Sequence, residues 1–545
     1  MRLVLALVIF TLSAFAQANS GSLRGTVTDP SGAVIPAAKI TITNVNTGVQ
    51  QTANTDGLGD YLFEFLSPGD YRINAEVSGF KKFVRESVTL DVARQLRVDI
   101  GLEPGQLTDT VSVSAEASLI ETETGTLGTT VENRQVIGLP LLGRDPQSLR
   151  LLAPGVVNTG NGPITQGGLV RKDPYYIDGV NSSLHVWSGN PVNPNPDVIQ
   201  EFKTLTNSFS AEYGESSGAI MISTTKSGTN SFHGTLFEFW RNDVLNASNF
   251  FAHKVPVLRR NQYGGTVGGP IRKNKTFFFF DTQITKQIGA AAFTNITVPL
   301  PEFRAGDFSR ILGAQVGTDA LGRPVFKNEI FDPMTTRTVT DGSGKSVVIR
   351  DAFPGNMIPA NRINPAALKV QALYPAPQVN TPFANFNNFG STLNDNLEWD
   401  AKVDHSFSDN DKLTVRYSQR RFNTDQPTAF GRLAGGPLPG TLGPGFTKNP
   451  GKQVAINEVH IFSPRATNSL NIGWFQVYPK RTTPGYGTIS ENDLGIFGMP
   501  NGAQKLGTPY FNFLNFEQLG ATTDTLFFEL QNNNSLTDVA SIVLG

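Results

Sequence analysis

The chain has 545 residues, too many for one hydrophobic core, so several domains are expected. Hydrophobic residues make up 39% and charged residues 17%, which excludes a helical membrane bundle but leaves a β-barrel open, because barrel strands alternate apolar with polar groups. A net charge of -1 gives no strong electrostatic case for nucleic acid or anionic lipid as partner, and without cysteine neither a disulfide framework nor thiolate chemistry exists.

The N-terminus reads as an export signal over residues 1–18. Arg2 supplies positive charge, residues 3–15 are almost wholly apolar, and Ala14-Phe15-Ala16 or Ala16-Gln17-Ala18 offers a small-x-small cleavage site. The apolar run is short for a membrane span, so the mature chain is expected to begin near Gln17 or Asn19, outside the cytoplasm.

Residues 21–103 alternate strand and turn. Ala38, Ile40 and Ile42 interleave with Lys39, Thr41 and Thr43, while Asp29-Pro30-Ser31-Gly32, Thr55-Asp56-Gly57 and Ser67-Pro68-Gly69-Asp70 supply turns. Short strands at this spacing predict a small antiparallel sandwich. Gly25, Val27, Asp29, Gly32 and Pro36, then Thr55-Asp56, Gly59, Tyr61, Phe63, Leu66, Pro68-Gly69, Tyr71 and Gly79-Phe80 resemble the carboxypeptidase regulatory-like domain. That resemblance implies a transthyretin-like sandwich of the carbohydrate-binding-like group, without catalytic or zinc residues. Tyr61, Phe63 and Tyr71 alternate as core residues do, with a sugar platform as the other reading.

Residues 104–118 read as a linker opening at Pro104-Gly105, in which Val111 and Val113 alternate as in an edge strand. Residues 119–230 then carry Ile137-Gly138-Leu139-Pro140-Leu141-Leu142-Gly143-Arg144-Asp145, Tyr176-Ile177-Asp178-Gly179-Val180 and Ile199-Gln200-Glu201-Phe202-Lys203. At about residue 230 the character changes, from the compact Gly-rich segment ending at Lys226 to aromatic strand-like sequence from Phe232.

From residue 231 onward the pattern is of long strands. Leu397, Trp399, Ala401 and Val403 alternate with Glu398, Asp400, Lys402 and Asp404; after the polar turn Ser408-Asp409-Asn410-Asp411, Leu413, Val415 and Tyr417 alternate with Lys412, Thr414 and Arg416. Leu470, Ile472, Trp474 and Tyr478 repeat the theme. Residues 300–390 and 423–452, rich in Pro, Gly and Asn, read as long loops between hairpins.

These ordered segments resemble TonB-dependent outer-membrane receptors, particularly the Oar-like group with an extra N-terminal β domain. Arg260-Asn261-Gln262-Tyr263-Gly264-Gly265 and Lys275-Thr276-Phe277-Phe278-Phe279-Phe280-Asp281 are similar to first barrel strands of that group. The fold expected is mainly β: a transthyretin-like sandwich, an α+β plug over 119–230 and a partial antiparallel transmembrane barrel over 231–545. The family implies an outer-membrane location with the N-terminal domain in the periplasm, outer-membrane lipid around the barrel, an extracellular ligand, and a TonB-type energy-coupling complex as partner, driven by the inner-membrane proton gradient. The coupling segment would fall on Asp109, Thr110, Val111, Ser112 and Val113, with a last sandwich strand or a plain linker as the alternatives. His185 and Trp187 are the candidate ligand contacts, Trp187 by stacking on a sugar and His185 by hydrogen bonding, with burial of Trp187 as the alternative. Because the chain stops at Gly545 without an aromatic-terminated strand, a C-terminally truncated barrel is expected. A surface adhesin or carbohydrate-binding protein without transport is the competing class.

Motifs that invite an enzyme reading fail on context. Gly214-Glu215-Ser216-Ser217-Gly218 fits a nucleophile elbow, but a strand rather than a helix is predicted after it. Ser223-Thr224-Thr225-Lys226 and Lys226-Ser227-Gly228 would have to share one lysine, and Gly264 to Gly269 lacks the ending of a phosphate loop. The five histidines, His185, His233, His253, His405 and His460, lie far apart, none at metal-ligand spacing. No catalytic residue, metal or cofactor is expected.

Overall fold

The computed structural model describes residues 20–542, apart from 107–109, 114–125, 160–161, 170–172, 185–189, 208–212, 214–215, 249, 251–252, 254, 437–444, 464–465 and 521–525. The N-terminal unit contains β1 (Gly21–Thr28), β2 (Lys39–Asn44), β3 (Gln50–Asn54), β4 (Asp60–Leu66), β5 (Gly69–Glu76), β6 (Lys82–Leu90), β7 (Gln95–Arg97), β8 (Ile100–Gly101) and β9 (Thr110–Val113). One sheet runs β4-β1-β7 with β8 also on β1, and the other runs β3-β2-β5-β6-β9. Between them Leu23, Val27, Ile40, Ile42, Phe63 and Ile73 form one core, as alternation along each strand requires. Tyr61 and Tyr71 belong to that core and donate their hydroxyls to the carbonyls of Val98 (2.6 Å) and Ser67 (2.7 Å), so neither ring offers a sugar platform.

The inner unit follows with β10 (Leu127–Glu132), β11 (Val156–Thr159), β12 (Gly162–Thr165), β13 (Tyr175–Ile177), β14 (Val180–Asn181), β15 (Ile199–Asn207) and β16 (Ile220–Thr225). Its main sheet has the order β10-β15-β16-β13-β14, with β13 and β16 parallel. A short helix, Asn133–Gly138, and the turn Pro146–Leu152 cover one face through Val136 and Leu149, which join Tyr175, Ile177, Ile199, Phe202 and Met221 in a second core. Both faces of the central strands are buried, which explains why Ile220, Met221 and Ile222 follow one another without alternation.

The remainder is dominated by a sheet of long antiparallel strands: β17 (His233–Asn242), β18 (Leu258–Arg272) and β19 (Thr276–Ile296) come first. After small hairpins β20 (Gln315–Thr318) with β21 (Pro324–Phe326) and β22 (Phe331–Thr340) with β23 (Ser346–Ala352), the sheet resumes with β24 (Phe386–Ser406), β25 (Asp411–Gln426), β26 (Gly445–Ser463) and β27 (Ala466–Val477). The short strands β28 (Lys480–Thr482), β29 (Phe511–Phe513), β30 (Phe516–Leu519) and β31 (Phe527–Phe528) precede β32 (Gln531–Ile542). The long strands pair in the order β17-β18-β19-β24-β25-β26-β27-β32, and among the described residues β17 and β32 do not pair with each other, so the sheet is open. Among the described residues no helix is long and apolar enough to cross a membrane, which leaves crossing by strands untouched.

Connections alternate in length. Turns at one end are tight, as between Arg272 and Thr276 or Ser406 and Asp411, whereas residues 297–385 and 478–530 connect strands at the other. These long segments are not bare loops: their Val298, Val370, Tyr374, Ile489, Leu494 and Leu519 share a core with Ala429 and Ala434 from the connection between β25 and β26. Their apolar groups follow neither a period of 2 nor of 3.6, which is why a periodicity search passes over them.

Candidate functional site: the contact between inner unit and sheet wall

The large sheet has its polarity reversed relative to a soluble domain. On one face Leu236, Trp240, Val267, Phe280, Val403, Ile472 and Leu536 are exposed. On the other, Asp281, Asp400, Lys402, Arg416, Ser418 and Gln453 are buried against the inner unit. Strand alternation supplies both sets, and the inner unit supplies the polar partners that a buried charge requires. Outward aromatics also meet across strands, Trp399 lying 6.1 Å from Phe280 and 5.1 Å from Tyr417 between ring centres.

One contact is made by the hairpin β13–β14. Its turn residues Asp178 and Gly179 both have positive φ, 47° and 77°, the backbone that a two-residue Asp-Gly hairpin favours. That turn carries the Asp178 carboxylate to the wall, where Oδ2 lies 2.7 Å from Arg416 Nε and Oδ1 lies 3.7 Å from Lys402 Nζ. The Thr225 amide (2.9 Å) and hydroxyl (2.7 Å) donate to the same carboxylate. Lys402 in turn donates to the Thr225 carbonyl at 3.0 Å, and Asn457 donates to the Asp178 carbonyl at 3.1 Å. Arg416 also reaches the Ile177 carbonyl (3.4 Å), Gln453 Oε1 (3.1 Å), Asp400 and Ser418. Burial pushes the Asp178 carboxyl up, but Lys402, Arg416 and the two Thr225 hydrogen bonds outweigh it and hold the group below the ordinary carboxylate value.

Two further contacts fix the unit. Asn195 donates to Asp281 at 2.7 Å. Arg144, paired with Asp197, lies over Phe237 (4.7 Å) and Phe239 (3.9 Å) of β17. At Gly473 the Val180 side chain fills the space a side chain would need, since a Cβ there would sit 2.3 Å from Val180 Cγ1. The arrangement can hold a folded unit against a polar wall and release it if the ion pairs are exchanged for water. Ser216 donates to the Ala219 carbonyl at 2.8 Å and is followed by strand β16, so the serine does not lead into a helix as an elbow would.

The sequence-predicted site residues fare unevenly. Thr110, Val111, Ser112 and Val113 form β9, parallel to β6 with Phe83 opposite Val111, at the end of the five-strand sheet. Asp109, His185 and Trp187 lie outside the described residues. Asp178, Lys402 and Arg416 were visible only as a motif and as the polar half of two alternating strands; no spacing rule joins residues more than 200 positions apart. Their signal was the alternation along β24 and β25, which puts Asp400, Lys402 and Arg416 on one face. His460, which sits at no metal-ligand spacing in the sequence, meets Asp411 and Glu458 with ligand atoms within 4.8 Å of one another. Neighbouring strands bring these together, and the hydrogen bond between His460 and Asp411 accounts for the cluster at the tight-turn end.

Comparison with known proteins adds the following. Residues 224–545 match the model of the outer membrane beta barrel domain, and residues 22–103 match that of the carboxypeptidase regulatory-like domain. The TonB-dependent transporter Oar of Myxococcus xanthus is 29% identical over 294 residues, covering 51% of this chain and 27% of the transporter. The chain thus spans about a quarter of the length of that relative. Among solved structures, a ferric enterobactin receptor of Pseudomonas aeruginosa in complex with enterobactin aligns with 76% of this chain and 46% of its own, at 10% identity and a TM-score of 0.39. The outer membrane transporter YddB of Escherichia coli aligns with 65% and 39%, at 9% identity and a TM-score of 0.38.

Proposed function

Because this chain belongs to the outer membrane beta barrel domain family, matched over residues 224–545, we propose that it acts as a TonB-dependent receptor that imports a ligand across the outer membrane. The observation that carries the reading is the Asp178 contact: a folded unit is held against the polar face of a sheet whose other face carries exposed apolar groups. In this reading the inner unit is the plug. The large sheet is the wall of a barrel in lipid, the tight turns and the N-terminal unit face the periplasm, and the long connections face outward. Ligand binds between those connections and the plug, with His185 and Trp187 as candidate contacts.

Energy arrives from the inner-membrane proton gradient through a TonB-type partner that adds a strand at β9, where Asp109 to Val113 supply main-chain hydrogen bonds. Ligand binding and pulling both bias one two-state element, the plug, which is coupling between two sites rather than chemistry on a substrate. The cargo class is open, with oligosaccharide or peptide favoured by the family resemblance. Val111→Pro, which removes an amide from β9, tests the reading. The expected result is loss of cross-linking between the whole protein and the cell's TonB-type protein; undiminished cross-linking removes the coupling site and leaves the adhesin reading in its place.

A further inference from the structure

The N-terminal unit is joined to the inner unit by a knob. The turn after β6 carries Val92 into an apolar cluster of Tyr176, Leu205, Tyr213, Ile220 and Ile222, and Val92 is fully buried there. Ala93 packs beside it with φ 50°, in the left-handed region that costs a side-chain-bearing residue energy unless its surroundings hold it. The surroundings do hold it. Glu201 accepts a hydrogen bond from the Val92 amide at 2.8 Å, and Lys203 donates to the carbonyls of Val92 (3.2 Å) and Ala93 (3.0 Å). Glu201, Lys203 and Leu205 are alternate residues of β15, so one strand grips both the backbone and the side chain of the knob.

This grip lies on a continuous path. β9 pairs with β6, β6 ends at Leu90 next to the knob, β15 pairs with β16, and Thr225 at the end of β16 holds Asp178 at the wall. We infer that the contact of Val92 with Glu201 and Lys203 is the joint through which a pull on β9 reaches the inner unit, so that the N-terminal unit transmits force instead of merely decorating the receptor. The inference rests on the transporter reading for its source of force. Physically, a pull along β9 loads the hydrogen bonds of the parallel β6–β9 ladder together in shear, and β6 passes the load directly to a knob anchored by a buried side chain and charge-assisted hydrogen bonds. The covalent route through residues 114–125 is the competing path, and the two predict different mutants.

The test uses the whole protein in its own outer membrane, with Thr224→Cys as the sole thiol, since the chain has none. Thr224 is buried beside the Asp178 contact, so labelling by a membrane-impermeant maleimide reports release of the inner unit from the wall. The parent is expected to label faster in energised cells than in cells treated with a protonophore. Val92→Asp should lower the energised rate to the protonophore level, Val92→Ile should retain it, and Lys203→Met should lower it by about tenfold or more, because both of its charge-assisted hydrogen bonds to the knob are lost. Lys203→Met keeps the apolar contact and decides the matter if Val92→Asp is not exported. Energised labelling that is the same in Lys203→Met as in the parent overturns the inference, as does a parent that labels equally in both states while still cross-linking to the TonB-type protein. Loss of that cross-link in the parent is the separate failure of the transporter reading.

Discussion

The N-terminal unit and the large sheet are both antiparallel β structures built on strict alternation, yet they bury opposite halves of the pattern. In the first, Leu23, Ile40 and Ile73 face inward and Lys39 and Thr41 outward. In the second, Arg416 and Asp400 face inward while Ile472 and Leu236 are exposed. Alternation therefore fixes that a strand has two faces without saying which one meets water. The environment decides: an apolar outer face is stable in lipid, and a polar inner face is stable only against a unit that supplies matching charges.

Placing the same change in both regions sharpens the contrast most. Ile73→Lys puts an ammonium in a core without a counter-ion, so the N-terminal unit is expected to lose roughly 5 kcal/mol or more. Ile472→Lys, on the outward face of β27, is expected to cost about 2–4 kcal/mol in a bilayer, less the nearer the site lies to the rim. Urea unfolding of both variants in vesicles, followed by near-UV circular dichroism, measures the pair; equal losses would break the inverted-polarity account.

Arg416→Ala leaves Asp178 and Asp400 buried and short of their common cation, and removing one partner of a buried ion network typically costs about 3–5 kcal/mol. The expected readout is a lowered urea midpoint together with faster proteolysis of the inner unit. Arg416→Met/Asp178→Leu, which removes charge from both sides, should recover part of the loss.

Much of this division was legible in the chain, and the reason is instructive. Ala38, Ile40 and Ile42 announced the N-terminal sheets, and Glu398, Asp400, Lys402 and Asp404 announced a charged face repeated on the next strand. What was not legible is contact between distant segments. Nothing in Asp178 names Arg416, because the pairing depends on how a hairpin tip meets a wall strand more than 200 residues later. Val92 reads as an ordinary apolar residue near a turn, and only the packing of two units makes it a knob. Residues 300–390 and 423–452 read as loops because their buried groups, such as Val370, Tyr374, Ala429 and Ala434, lack any period.

The boundary between the first two units carries a pH signature. Burial raises the Glu201 carboxyl to about 7 from 4.5, the Val92 amide and Lys203 pull it back, and Asp91 and Glu132 add to the rise. A carboxyl whose folded pKa lies above its unfolded value binds its proton more tightly when folded, so stability is greatest below the unfolded pKa. It then falls as pH rises from about 4.5 to about 7 and is level above that, a total change of about 3 kcal/mol at 1.36 kcal/mol per unit. Glu201→Gln, which keeps an acceptor for the Val92 amide, should abolish this slope while leaving the low-pH stability nearly unchanged. Thermal unfolding of the detergent-solubilised protein from pH 4 to 8 decides it: an identical slope in the Gln variant would assign the titration to another group and separate the grip on the knob from the charge of Glu201.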